Sequence, residues 1–294
     1  MCVHKVVAGL SRMRETLGRL ERFVDRRTTM SQQHRSTLRS TTLRTVSIAT
    51  IGLTLANVDA VQALTIILGT AGPDVLIGTS GDDSINGRGG ADVMIGLAGN
   101  DTYIVNDEAD QVVEQANEGI DTVRVFGWYV LQANVDNLVV AGTQDGGGQG
   151  NNRGNRMNGN SGYNTLDGGP GNDILTGAGG PDIFRFTTAL NASTNVDRVT
   201  DFTVAEDSFW LSYRAFPAFY RCTAFNPFLD GRVFHIGGSA TTPLHRILYN
   251  PSTGGLYYDS DGSGPTPPVR FARLSPDLAL TNHDFLVNSR TICP

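Results

Sequence analysis

A glycine returns every nine residues in two tracts of this 294-residue chain, residues 69–104 and 150–185. The first tract divides into the units GTAGPDVLI, GTSGDDSIN, GRGGADVMI and GLAGNDTYI. Positions 1 and 4 of each unit are glycine, position 6 is aspartate and position 8 is large and apolar. A single globular core needs no such period, so the pattern predicts an array of similar units that stack on one another.

The residue types within a unit predict its local structure. Glycines at positions 1 and 4 favour a turn with close backbone approaches, and positions 7 to 9 favour a short strand whose side chains alternate. Two units then form one coil, in the order turn, strand, turn, strand. The sequence therefore predicts an all-β fold, a parallel β-roll in two blocks, in which residues two units apart stack and position 8 points into the core.

Stacking brings carboxylates together, Asp74 with Asp92 and Asp83 with Asp101. Two such carboxylates repel each other unless a cation lies between them, and carboxylate and carbonyl oxygens in a flexible ring favour Ca²⁺ over Mg²⁺ or zinc. The predicted metal ligands of the first tract are Gly72, Asp74, Gly81, Asp83, Gly90, Asp92, Gly99 and Asp101.

The second tract reads GNNRGNRMN, GNSGYNTLD, GGPGNDILT and GAGGPDIFR. Here asparagine replaces aspartate at position 6 of the first two units, and Arg153 stands at position 4 of the first unit in place of glycine. Asparagine keeps an oxygen ligand but removes the charge, so weaker sites are expected, weakest at the first coil. The predicted ligands are Asn164, Gly171, Asp173, Gly180 and Asp182, which brings the expected total to several Ca²⁺ ions.

These units resemble the repeats-in-toxin (RTX) family, or haemolysin-type calcium-binding repeats, whose pattern is Gly-Gly-x-Gly-x-Asp-x-apolar-x. Eight units keep the register. The alternative is a Gly/Asp-rich linker that never folds, and it gives no reason for a large apolar residue at position 8 of every unit. The resemblance implies a secreted, extracellular protein that folds on binding Ca²⁺.

The segments around the repeats complete the predicted organisation. Residues 64–104 form the first block, 105–149 a bridging β segment and 150–190 the second block. The acids of the bridge are expected to be solvated turn residues: Asp107, Asp110, Glu114 and Glu118.

Residues 191–294 are predicted as a β-rich C-terminal cap. The stretch VDRVTDFTVAEDSFWL resembles the non-catalytic region after the repeats of serralysin-type proteases. That resemblance implies that Asp197 and Asp201 are calcium ligands; the alternative is an ordinary role at a strand edge. Residues 247–274 resemble the C-terminal portion that type I secretion machinery recognises in this family, although the ending VNSRTICP departs from the acidic-apolar terminus often seen there.

Residues 1–63 are a basic N-terminal segment. Ten basic and three acidic residues lie in residues 1–44, followed by an apolar run and a small-residue ending, the order of a secretory signal; a basic arm is the alternative. The run at 46–56 is too short to span a bilayer, so no transmembrane segment is expected. The remaining part of the chain holds 13 basic and 26 acidic residues, which argues against nucleic-acid binding. Cys222 and Cys293 are either a disulfide or two thiols.

No motif of a catalytic centre is present. The sequence lacks HExxH, GxSxG and a P-loop, and its five histidines are scattered. The predicted function is therefore calcium binding without catalysis. Two alternatives remain open: a non-catalytic module or remnant of a serralysin-like metalloprotease or polysaccharide-modifying enzyme, and a surface adhesin with a cell-surface or glycan partner that the sequence does not identify.

Overall fold

The structure, a computed structural model, describes residues 64–220 and 228–288. The N-terminal segment with its expected signal lies outside the described residues. Cys222 and Cys293, with their expected pairing, lie outside them too.

The described residues form 21 strands and two short 3₁₀ helices, Pro217–Tyr220 and Asn282–Asp284. The strands are β1 Thr65–Leu68, β2 Val75–Ile77, β3 Asp83–Asn86, β4 Val93–Ile95, β5 Thr102–Val105, β6 Gln111–Val113, β7 Thr122–Val125, β8 Trp128–Val130, β9 Asn137–Val140, β10 Gly146–Gln149, β11 Arg156–Asn158, β12 Asn164–Asp167, β13 Ile174–Thr176, β14 Ile183–Phe186, β15 Asp197–Val199, β16 Ser208–Ser212, β17 Phe234–Ile236, β18 Ile247–Asn250, β19 Gly255–Tyr258, β20 Val269–Arg273 and β21 Phe285–Asn288. No helix of these residues is long and apolar enough to cross a membrane.

The strands build the two faces of a parallel β-roll, which confirms the predicted fold class. One face is a twelve-stranded sheet in the order β1-β3-β5-β7-β9-β11-β13-β15-β20-β19-β18-β17. The other face consists of a three-stranded sheet, β2-β4-β6, and a six-stranded sheet, β21-β16-β14-β12-β10-β8. Within the repeat tracts the register pairs residues two units apart, for example Val75 with Val93 and Thr165 with Ile183. The coils therefore stack as the nine-residue period predicts.

The bridging segment continues the roll through coils of irregular length. Strands β5, β7, β9 and β11 pair in parallel, and their registers join Thr102 to Thr122, Thr122 to Asn137 and Asn137 to Arg156. The opposite face is interrupted here, since β6 and β8 belong to different sheets. One face of the roll thus passes through both repeat blocks without a break, and the other does not.

The position-8 side chains form the core between the two faces, as predicted. They are at most 2% exposed and comprise Leu76, Ile85, Met94, Tyr103, Met157, Leu166, Leu175 and Phe184. Each buried large side chain contributes roughly 1.5–3 kcal/mol relative to exposure, so the strands are held by packing across the roll and not by their own length.

The C-terminal region extends both faces and closes the core. Strands β15 and β16 add to the roll in parallel, and β18, β19 and β20 pair antiparallel. Aromatic rings fill the end of the core, where Phe202 stacks on Phe209 with centroids 4.3 Å apart and Phe209 lies 5.1 Å from Phe285.

Candidate metal centre

The turns of the roll carry ladders of position-6 side chains. In each stacked pair of the repeat blocks, the second side chain accepts a hydrogen bond from the backbone N–H of the first residue, one coil earlier. In the first block Asp74 N donates to Asp92 Oδ1 (2.8 Å) and Asp83 N to Asp101 Oδ1 (2.7 Å). In the second block Asn155 N donates to Asp173 Oδ1 (2.6 Å) and Asn164 N to Asp182 Oδ1 (2.8 Å). All four pairs expected from the repeat spacing are in contact.

The first turn of each pair is closed by its own hydrogen bonds. The backbone N–H and hydroxyl of Thr70 both donate to Asp74 Oδ2, at 2.5 and 2.9 Å. In the second block Asn160 N donates to Asn164 Oδ1 at 2.6 Å, so position 2 again supplies the donor. These turns satisfy the position-6 side chain without a further partner.

The second turn of each pair leaves one carboxylate oxygen without a donor. Six buried side-chain oxygens in residues 64–220 and 228–288 lack a hydrogen-bond partner. Four of them are position-6 atoms, the Oδ2 atoms of Asp92, Asp101, Asp173 and Asp182. An unpaired buried carboxylate oxygen is costly, so each of these turns is incomplete as protein alone.

The backbone explains why the two classes of turn differ. In the second turns position 2 has a positive φ, as at Arg88 (66°), Leu97 (74°) and Ala178 (75°). Its N–H then points elsewhere: Arg88 N donates to Asn86 Oδ1 (2.9 Å) and Ala178 N to Asp201 Oδ2 (2.8 Å). A left-handed conformation costs a residue with a side chain roughly 1 kcal/mol, so these turns are strained, and the strained backbone leaves the buried aspartate oxygen without a donor.

Position-1 glycines leave room beside the unpaired oxygens. A Cβ on Gly87 would clash with Asp92 Oδ2, and one on Gly177 with Asp182 Oδ2. A Cβ on Gly69 would clash with the carbonyl oxygen of Gly87, which places that carbonyl against the turn one coil earlier. Carboxylate and backbone carbonyl oxygens therefore converge where neighbouring turns meet. An all-oxygen donor set of this kind suits Ca²⁺.

Burial makes the ionised form of these aspartates unfavourable. Burial, together with the carboxylates of the adjacent coils (Asp121 for Asp101 and Asp207 for Asp182), raises the pKa of Asp101 and of Asp182 to about 7. Burial likewise raises the pKa of Asp92. A bound cation would remove this penalty, because it supplies the positive charge that the turns lack.

The two C-terminal candidates occupy different environments. Asp197 is 3% exposed and accepts the N–H of Asp173 (3.2 Å), so it continues the ladder beyond the repeats. Asp201 uses both carboxylate oxygens on the turn before it, accepting from Gly177 N (3.0 Å) and Ala178 N (2.8 Å). Within the described residues, Asp197 therefore has the contacts of a ladder residue and Asp201 has those of a turn cap.

The structure adds ladder residues that the sequence analysis missed. Asp110 accepts the N–H of Asp92 (2.9 Å) and Asp207 that of Asp182 (2.9 Å). The expectation that Asp110 and Glu114 are solvated is wrong, since they are 2% and 5% exposed. The signal for Asp110 was present, because it follows Asp92 by the length of two repeat units. Asp207 follows Asp182 at a longer separation that does not fit the period, and it gave no such signal.

Amide groups take the place of charge at the first coil of the second block. Asn155 Nδ2 donates to the carbonyl oxygens of Val135 (3.0 Å) and Asp136 (3.2 Å). Asn151 Nδ2 also donates to Val135 O (2.7 Å). Carbonyl oxygens that face a neighbouring turn are thus satisfied here by side-chain N–H donors.

Comparisons with known proteins support the repeat assignment. The family model of the RTX calcium-binding nonapeptide repeat matches in four copies, over residues 68–103 and 147–184. No curated protein matches the chain. Among solved structures, the chain is similar to the AlgE6R3 subunit of the mannuronan C5-epimerase from Azotobacter vinelandii, with 20% identity over 74% of this chain and 79% of that one and a TM-score of 0.23. A similarity at that TM-score supports no conclusion about activity.

Proposed function

We propose that this chain, in which residues 68–103 and 147–184 match the RTX calcium-binding nonapeptide repeat, folds on binding several Ca²⁺ ions outside the cell and carries no catalytic centre of its own. The observation that carries the proposal is the set of four buried, unpaired Oδ2 atoms, one in the second turn of every stacked pair. The proposed ligands are these carboxylates together with oxygens of the glycine-rich turns around them.

The proposed mechanism couples metal binding to folding. Without Ca²⁺ the stacked aspartates repel each other, and the short strands of the repeats gain too little from packing to offset chain entropy. Such a chain stays loose in the calcium-poor cytosol and can be exported. Outside the cell, at roughly millimolar Ca²⁺, sites of extracellular type fill and stabilise the folded state alone.

A calcium titration of the full chain, followed by far-UV circular dichroism, tests the proposal. We expect a cooperative transition from coil to β structure with Ca²⁺ and none with Mg²⁺ at the same concentration. The double variant Asp92→Asn/Asp182→Asn should show a less steep dependence of the transition on Ca²⁺, because each substitution removes a proposed carboxylate ligand. A chain that is already fully β-structured in chelator would refute metal-coupled folding, and turnover of casein or alginate by the chain would refute the non-catalytic assignment.

A groove system on the outer surface of the six-stranded sheet favours a second candidate function, binding of a surface polysaccharide. Two adjoining grooves of about 420 and 510 Å³ share Trp128 and Arg185 as lining residues. Trp128 is 38% exposed, and the Arg185 guanidinium lies 4.5 Å above the ring of Trp210. An exposed indole stacks on the apolar face of a sugar ring, and a guanidinium donates to hydroxyl or carboxylate oxygens.

Titration calorimetry with oligouronates and with neutral glucans of equal length tests this candidate, in Ca²⁺. We expect oligouronate binding that Trp128→Ala abolishes and Phe126→Ala leaves intact, since Phe126 is an exposed aromatic residue (58%) outside the two grooves. If the chain binds neither polymer, or if both variants lose the same amount of binding, the groove is excluded as a glycan site.

A further inference from the structure

Three carboxylates converge at the junction of the first repeat block and the bridging segment. Asp101, Glu114 and Asp121 each place an oxygen within 4.8 Å of the other two. Their side chains are buried, with exposures of 1%, 5% and 1%. Only Asp101 belongs to a repeat unit; Glu114 and Asp121 come from the bridge.

The sequence shows how a glutamate enters this turn. Glu114 follows Gly96 by the length of two repeat units, at the place where a unit would have its position-1 glycine. In the Gly96 turn a Cβ would clash with Asp101 Oδ2 and with the Tyr103 hydroxyl. The next coil is longer than a repeat coil, since Thr102 pairs with Ser84 on one side and with Thr122 on the other. The additional residues lie in the turn that holds the Glu114 side chain.

The hydrogen bonds of the cluster leave oxygens available. Glu114 Oε1 accepts from the Tyr103 hydroxyl, and Asp121 Oδ1 accepts from Asp101 N (2.9 Å). Glu114 Oε2 and Asp101 Oδ2 are buried and have no hydrogen-bond donor. Two unpartnered oxygens from different coils therefore face one cluster.

No side-chain cation neutralises the cluster in the described part of the chain. The only salt bridge among residues 64–220 and 228–288 joins Arg232 to Asp230, in the C-terminal region. Burial raises the pKa of Asp121 to about 6, and the basic group that opposes this rise, Arg153, donates from its guanidinium to Asn134 Oδ1 (3.4 Å). Three buried carboxylates with this environment require a bound cation or protons.

We infer that Asp101, Glu114 and Asp121 form a composite Ca²⁺ site, in which two carboxylates of the bridging segment complete the last turn of the first block and Tyr103 positions Glu114. The inference rests on the proposed function, because it assigns the same ion. The composite site differs from the repeat sites in its ligands, because a glutamate and an aspartate outside the repeats bind the ion. That ion orders the bridging segment. Among the described residues this is the group of three carboxylates whose oxygens lie close enough to share one ion, so it should fill first.

The experiment compares Ca²⁺ binding to the full chain and to the matched variants Glu114→Gln and Glu118→Gln by titration calorimetry. Both variants remove one carboxylate from the same turn, but Glu118 lies outside the cluster and accepts from Gln115 N (2.7 Å). We expect Glu114→Gln to weaken the tightest Ca²⁺ site at least about tenfold. Glu118→Gln should weaken it far less, because Glu118 acts on Glu114 and Asp121 only through its charge. Equal affinities in the two variants would overturn the inference while the repeat sites still bind.

A second measurement does not depend on the stability of a charge variant. Tb³⁺, used as a calcium substitute, should emit when the Tyr103 ring is excited, because the hydroxyl contacts a proposed ligand. Tyr103→Phe should reduce the emission from the first ion bound, with circular dichroism in Ca²⁺ confirming that the variant folds. Unchanged emission of that first ion in Tyr103→Phe would place it elsewhere and refute the assignment. Absence of Ca²⁺ binding to the unmodified chain would instead refute the proposed function itself.

Discussion

Asp182→Asn separates the two effects of an unpaired carboxylate, which destabilises the metal-free fold and supplies a ligand for Ca²⁺. The substitution keeps an oxygen that accepts from Asn164 N and replaces the unpaired Oδ2 by an amide. Asn155 shows that an amide at position 6 can be satisfied, because its Nδ2 donates to two carbonyl oxygens of the preceding coil. The variant should therefore stabilise the metal-free fold and weaken the response to Ca²⁺.

The magnitude follows from the pKa of Asp182, which burial raises from 3.8 to about 7. Since a tenfold change in proton affinity corresponds to about 1.4 kcal/mol, the ionised carboxylate costs the metal-free fold at most about 4 kcal/mol above neutral pH. Solvent screening at the turn reduces this to about 2 kcal/mol. We expect the variant to gain that free energy of unfolding in chelator. In Ca²⁺ it should lose the contribution of one ion, about 2.7 kcal/mol at a concentration 100 times Kd.

Urea unfolding near pH 7.5 measures both quantities, once in Ca²⁺ and once in chelator with a stabilising osmolyte that populates the metal-free fold. Asp83→Asn is the matched control, because Asp83 holds the same repeat position but both its oxygens accept from Thr79, at 2.5 and 3.2 Å. This control should lose up to about 1 kcal/mol in chelator, since a neutral acceptor replaces a charged one. A lower stability of Asp182→Asn in chelator, or an undiminished gain in Ca²⁺, would refute the reasoning.

Three further outcomes are expected. Gly177→Ala should destabilise the calcium-bound fold by about 1–3 kcal/mol, because its Cβ clashes with the unpaired oxygen of its own turn. Gly179→Ala should change the stability little, since no atom of the surrounding turns lies within 4 Å of a Cβ there. Thermal unfolding in Ca²⁺ compares the two variants. In chelator with a stabilising osmolyte, the metal-free fold should gain stability as the pH falls from about 7 to about 4, because the folded state binds the proton of Asp101 (pKa about 7) more tightly than the unfolded chain. Thermal melting under those conditions checks the sign, and a loss of stability would contradict it. Asp110→Ala should lower the free energy of unfolding by about 1–3 kcal/mol, because it leaves Asp92 N without its acceptor. Urea unfolding in Ca²⁺ measures this loss, and an unchanged midpoint would argue against an extension of the ladder to Asp110.

Sequence reasoning predicted the roll because its determinants are local and periodic. A large apolar residue at position 8 of every nine-residue unit requires a core, and a period of nine places residues two units apart in register. The pairs Asp74–Asp92 and Asn164–Asp182 therefore followed from counting, and their hydrogen bonds have that register. Asp110 could have been found by the same count, but the loss of the glycine pattern after residue 104 concealed it.

The irregular coils could not be predicted in this way. The spacing between stacked strands changes from one coil of the bridge to the next, so no fixed offset identifies Asp121 as the residue beneath Asp101. Asp207 and Asp197 stack on Asp182 and Asp173 at longer offsets, for the same reason. Where the coil length varies, pairing depends on which strands find partners across the whole sheet.

The sequence by itself determined that oxygen ligands recur once per turn and apolar side chains once per strand, because both depend on residue type and period alone. The tertiary structure decided which carboxylate of each pair is left without a donor. That choice depends on whether position 2 of the turn directs its N–H to the aspartate, as at Thr70, or away from it, as at Arg88. It also decided that Glu114 enters the core, because only the stacking of the longer coil on Asp101 and Tyr103 places a charged side chain there.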